Sequence, residues 1–211
     1  MGTRVGRIAA AGIALAVGAA AIAIAAPSNG GFEQGNLSSW KTLERGGGSW
    51  SVYDAEAVLP RGLGGELPPP PRGQYAARVT QDNPGLNILH RTLRPKRGAV
   101  NKLSLLLAYN NNAPRFFTPN NFKFGGRPNQ QVRVDLVKPG APLKTLKKKH
   151  ILKRVFRTKR GASLQRGYFK LAVNLNRLGI KDKFRLRIAE VDNQSPLAVG
   201  VDHVKLTSKR R

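Results

Sequence analysis

Gln131-Val132-Arg133-Val134-Asp135-Leu136-Val137 alternates apolar and charged residues with a period of two. Successive side chains of a strand point to opposite faces. The stretch therefore reads as a strand with Val132, Val134 and Leu136 on an apolar face and Arg133 and Asp135 on a wet one. Phe184, Leu186 and Ile188 alternate with Arg185 and Arg187 in the same way. Residues 103–107 are more continuously apolar and suit a strand buried on both faces. Working outward, no long stretch beyond Ala26 sustains a 3.6-residue period. Strands are predicted over 49–54, 75–80, 87–93, 102–110, 131–137, 151–158, 168–175, 184–190 and 199–206, with Gly, Pro and Asn clusters between them. Many short antiparallel strands imply an all-β sandwich or barrel. Residues 174–181 add a helical turn or a loop. Two long loops are expected. Residues 59–73 contain four consecutive prolines, which are extended and cannot donate to a ladder, and residues 110–129 are rich in Asn, Pro and Phe. No repeat and no second domain boundary is visible.

The N-terminus reads differently. Arg4 and Arg7 precede an unbroken run of Ile, Ala, Leu, Val and Gly that ends in Ala23-Ile24-Ala25. A charged start, an apolar middle and a small-x-small exit describe a secretory signal. Residues 1–25 are therefore expected to be a signal helix cleaved after Ala25 or Ala26, or an uncleaved anchor, with residues 26–211 as one domain. On either reading the protein is exported, to the cell envelope or beyond, and it touches a membrane only if the segment is retained.

Charge dominates the composition. Lys and Arg number 37 against 11 Asp and Glu, a net +26; removing residues 1–25 takes away only Arg4 and Arg7 and leaves +24. Such a field attracts polyanions and says little about fold. No cysteine is present, which excludes disulfides, thiolate metal sites and cysteine nucleophiles.

The stretch Asn29-Gly30-Gly31-Phe32-Glu33-Gln34-Gly35-Asn36-Leu37-Ser38-Ser39-Trp40 resembles the opening of galactose-binding-like jelly-roll domains of the carbohydrate-binding-module type. Gly200-Val201-Asp202-His203-Val204-Lys205-Leu206 is similar to their closing strand, with His203 where an Asn is usual. Residues 189–194 resemble a subset of exported bacterial proteins of this type, whose function is mostly unassigned. The resemblance implies a single antiparallel β-sandwich, the jelly roll, whose first and last strands lie side by side. Phe32 and Trp40 would then pack near Val201 and Val204. It also implies a structural calcium ion held in part by Glu33 and Asp202. Calcium takes six to eight oxygens, so backbone carbonyls and waters would complete the shell. The residues alone equally admit Glu33 capping a turn and Asp202 pairing with an Arg or Lys.

Sites that would make the chain an enzyme are missing. The three histidines, His90, His150 and His203, form no His-x-x-x-His pair, and there is no phosphate loop or Gly-x-Ser-x-Gly elbow. Glu190 and Asp192 share strand parity, and paired carboxylates run glycoside hydrolysis. Beside Arg185 and Arg187 they read instead as a salt-bridged turn. No catalytic residue is assigned.

Lys144, Lys147, Lys148, Lys149, Lys153, Arg154 and Arg157 crowd one segment that runs on through Lys159 and Arg160. This is either a solvated edge that resists strand pairing or a polyanion-binding surface. Phe156 alone lies among these cations, so base stacking on specific nucleic acid is not expected. Two functions remain. One is a module that binds polysaccharide through Tyr53, Tyr109, Phe116 and Phe117. The other is a structural or interaction protein held by charge to an anionic cell-envelope polymer, with no selective sugar site.

Overall fold

A computed structural model describes residues 23–25, 28–56, 67–81 and 83–210. Its strands are β1 (Ala23–Ala25), β2 (Lys41–Gly46), β3 (Ser49–Asp54), β4 (Tyr75–Gln81), β5 (Gly85–Leu93) and β6 (Ala99–Asn111). They continue with β7 (Gln131–Val137), β8 (Ile151–Arg157), β9 (Gln165–Asn174), β10 (Phe184–Asp192) and β11 (Leu197–Arg210). A 3-10 turn, Lys148–His150, leads into β8. The first sheet runs β3-β4-β11-β6-β9, with β1 also on β11; the second runs β2-β5-β10-β7-β8. Every pairing is antiparallel. The all-β antiparallel sandwich is borne out.

The core follows the period-two pattern. Val132, Val134 and Leu136 of β7 and Phe184, Leu186 and Ile188 of β10 meet Leu103, Leu105 and Leu107 of β6 and Val199 and Val201 of β11. Each such side chain, fully buried, contributes roughly 1.5–3 kcal/mol of transfer free energy. Phe32 and Trp40 join this cluster, their rings 5.4 Å apart and 27° from parallel. The opening segment packs beside the last strand, as expected, but as turns: the Gly30 carbonyl accepts the Val204 amide at 2.8 Å.

Two expectations fail locally. Arg133, Asp135 and Arg187 are not wet; all three are fully buried. The loops after β6 and β7 fold across the outer face of the second sheet. Arg187 Nη1 donates to the carbonyls of Leu143 (2.6 Å) and Thr145 (2.8 Å), and Arg185 Nη1 to that of Ala141 (2.8 Å). Phe122 closes the roof, with the Arg187 guanidinium carbon 5.0 Å and that of Arg133 5.7 Å from its ring centroid. The Arg side chains point outward as the period requires, but other chain segments lie where water was expected. Strand β2 was missed because Lys41-Thr42-Leu43-Glu44-Arg45-Gly46 is an exposed edge strand with only Leu43 half-buried.

The expected signal helix falls outside the described residues except for its last three. Ala23–Ala25 are strand rather than helix, paired with Leu206, Thr207 and Ser208 of β11.

Candidate functional site

Three places carry chemistry: the meeting of the two chain ends, one end of the sandwich interior, and the side where β8 and β9 leave both sheets unpaired.

At the first, β11 bulges between Asp202 and Lys205, and His203 sits in the left-handed region at φ +52°. Among residues with side chains, Asn, Asp and His are enriched in that conformation, so His203 is accommodated there. Asp202 is fully buried. Its Oδ1 accepts the His203 amide, while Oδ2 has no hydrogen-bond partner among the described residues. Burial above all, then the nearby Glu33 charge, pushes its carboxyl up to about 7, against the backbone donors of His203 and Arg72. Glu33 Oε2 accepts the Gln74 amide at 2.9 Å. Gly73, at φ +69°, lies so close that a Cβ there would come within 2.3 Å of Glu33 Oε1. Neither carboxylate lies in an ion pair among the described residues. Two carboxylates facing each other, one with an orphaned buried oxygen, form a donor set that suits a hard cation completed by carbonyls and water. No group of three or more His, Asp or Glu able to hold a metal occurs among the described residues.

Inside the sandwich, Glu190 lies opposite Asn87 and Val132 and is fully buried. Asn87 Nδ2 donates to Glu190 Oε2 at 3.2 Å and to the Gly47 carbonyl at 3.0 Å. Burial, reinforced by Asp192, holds the Glu190 carboxyl well above the ordinary range. Asp192 Oδ1 accepts the Gln194 amide at 2.9 Å. The expected salt-bridged turn is therefore wrong. Glu190 and Asp192 have the parity of Phe184, Leu186 and Ile188 and face inward, whereas Arg185 and Arg187 face outward beneath the loops.

The aromatic candidates separate by burial. Phe116 is 0%, Tyr109 2% and Tyr53 4% exposed. Tyr53 shares a 2.8 Å hydrogen bond with Tyr168 and donates to the Pro68 carbonyl at 2.7 Å, under the proline-rich segment. Phe116 meets Tyr109 edge-on at 5.5 Å. Tyr53 and Phe116 are enclosed by packing and present no open ring face, whereas Tyr109, enclosed on its faces, still lines a groove beside Phe156. Phe117 stays half-buried, with the Arg115 guanidinium 4.9 Å over its ring.

Along β8 the structure brings the basic residues together. Lys144, Lys147, Lys148, Lys149, Lys153 and Arg154 are exposed and Arg157 is half-buried. No acidic residue occurs in sequence between Asp135 and Asp182. The ion pairs among the described residues are Arg97–Asp182, Arg133–Asp135 and Arg187–Asp135, and none engages these cations. Arg157 Nη2 reaches the carbonyls of Thr118 and, at 3.2 Å, Pro119. Burial lowers the Arg157 guanidinium pKa, and Arg154 lowers it further. Two grooves flank this segment, about 480 and 510 Å³ in volume. They add Arg166 of β9, which no sequence signal pointed to because it lies across the sandwich mouth from β8.

No protein-family model matches the sequence, and comparison with curated proteins finds no match. Among solved structures the fold is similar to TmCBM61, determined in complex with β-1,4-galactotriose, with TM-score 0.50 and 12% identity over 86% of this chain and 96% of that one. It is also similar to the CBM22-1 xylan-binding domain from Paenibacillus barcinonensis Xyn10C, with TM-score 0.44 and 13% identity over 86% and 92% of the two chains. A third similar structure is the Stig cyclase Fisc from Fischerella sp. TAU, with TM-score 0.44 and 14% identity over 90% and 97%. At 12% identity the likeness to TmCBM61 is one of fold alone, an antiparallel β-sandwich.

Proposed function

We propose that this chain is an exported, non-catalytic module that binds polysaccharide or another anionic cell-envelope polymer through the cationic side formed by residues 144–160. The observation that carries the reading is the charge along β8: exposed Lys and Arg side chains with no acid within ion-pairing distance among the described residues. Such a surface releases counterions on meeting a polyanion, so affinity falls steeply as salt rises. The burial of Tyr53, Tyr109 and Phe116 favours retention by charge over stacking of sugars on an exposed aromatic face. The likeness to TmCBM61 is compatible with a glycan as the polymer. The sealing of Glu190 among core residues supports the non-catalytic reading, since substrate has no access to that carboxylate.

Glu33 and Asp202 would hold a calcium ion that braces the two chain ends. The ion would be structural, remote from β8. Residues 1–25 direct export on this reading, and residues 26–211 are the mature domain. A mature N-terminus at Ala26 or Pro27 in the extracellular fraction supports export; recovery of only the intact chain from cytoplasm rejects it. The binding test is retention on an anionic polysaccharide column at two salt concentrations. Retention that is strong at low salt and lost at high salt supports the function, and no retention at low salt overturns it.

A further inference from the structure

The side of the sandwich bounded by the edge strands β8 and β9 is open, and it contains a recessed groove of about 510 Å³. Its apolar wall is formed by Tyr109, Phe156 and Ala162, and its cations are Arg157, Lys159 and Arg166. Behind the wall, Phe156 and Phe169 lie 5.4 Å apart, and Tyr109 meets Phe169 edge-on at 6.1 Å. Arg166 pairs in register with Tyr109 across β6 and β9, so both side chains point into the mouth. The Arg166 guanidinium carbon sits 3.8 Å over the Phe169 ring. Stacking covers one face of the guanidinium and the Tyr109 hydroxyl engages part of its edge, which fixes the plane of the fork and leaves its remaining N–H donors for a planar carboxylate. A second groove, about 480 Å³, shares Phe156, Arg157, Thr158 and Lys159 with the first, so the two adjoin along the trench that follows β8.

We propose that this trench between β8 and β9 is the selective subsite for a carboxylate-bearing pyranose chain, a uronate polymer. The C–H face of a sugar ring lies against Phe156 and Ala162 while its carboxylate meets the forked donors of Arg166. The inference rests on the polymer-binding reading above and adds a chemical preference to it. Single-stranded nucleic acid fits less well. Base stacking needs an open ring face, but Tyr109 is 2% exposed and Arg166 already covers Phe169.

The test compares wild type, Arg166→Lys and the Lys147, Lys148, Lys149 triple Gln variant on three probes at equal ionic strength: alginate, dextran sulfate and oligo(dT). Melting temperatures confirm that each variant is folded. Arg166→Lys keeps the charge and loses the fork, so its alginate Kd should rise about tenfold with dextran sulfate unchanged. The triple variant should weaken both polysaccharides together. Arg166→Lys binding alginate like wild type, or losing alginate and dextran sulfate by one common factor, overturns the subsite while leaving charge-held binding intact. Oligo(dT) outcompeting alginate, with the same tenfold sensitivity to Arg166→Lys, assigns the trench to nucleic acid instead. Wild type that binds none of the three overturns the polymer-binding reading itself.

Discussion

Arg187 Nη2 donates to Asp135 Oδ2 at 2.6 Å, and both side chains are sealed from solvent beneath the loops after β6 and β7. The same Asp135 oxygen lies 3.4 Å from Arg133 Nε. One carboxylate therefore serves two buried guanidinium groups, and Arg133 Nη1 and Nη2 have no hydrogen-bond partner among the described residues. Removing one partner of a buried pair strands the other charge, at a cost of about 3–5 kcal/mol. Asp135→Ala should destabilise the fold by that amount in urea unfolding. A loss below ~1 kcal/mol would show that water reaches both arginines when the acid is gone.

Glu190 makes stability depend on pH. Its carboxyl is raised in the folded state by burial and by Asp192, and returns to about 4.5 in the unfolded chain. The folded state therefore holds a proton that the unfolded state releases. This contribution is complete below pH ~4.5 and is lost as pH rises through the folded-state value. Glu190→Gln should flatten that decline and raise the melting temperature at alkaline pH, with little change at pH 4. An unchanged slope across the range would mean that Glu190 is ionised when folded.

The calcium proposal is read by stability. A ligand that binds only the folded state at ~100-fold over its Kd adds ~2.7 kcal/mol. Melting temperature should rise with added calcium, and Asp202→Ala should abolish the rise. A wild-type protein indifferent to calcium leaves Glu33 and Asp202 as a packed carboxylate pair.

Charge and core packing should separate cleanly in mutants. Lys147, Lys148 and Lys149 are exposed and lie in no ion pair among the described residues, so changing all three to Gln should alter stability by no more than ~0.5 kcal/mol per site. It should still weaken retention on the anionic column and flatten the salt dependence. Phe116→Ala should do the reverse. It empties a fully buried site, costs about 3–5 kcal/mol, and leaves retention of the remaining folded protein unchanged. Normal retention of the triple variant beside loss of binding in folded Phe116→Ala would reject binding by charge.

The period of two in Gln131–Val137 and Phe184–Asp192 was enough to place both strands and their core faces, because side-chain alternation is local geometry. The motifs at the two chain ends likewise led to Glu33 beside Asp202, and the density of Lys and Arg from 144 to 160 marked the basic edge. The burial of Arg133, Asp135 and Arg187 was not legible. Their outward direction follows from alternation, but what covers them depends on loops whose paths are set by tertiary contacts. The same reason hid the packing of Tyr53 under Pro68 and of Phe116 against Tyr109. Arg166 lies in another sheet from Arg157, and only the closure of the sandwich sets the two on one groove. A sequence determines which way each side chain points along its own strand; the folded chain alone decides what it meets there.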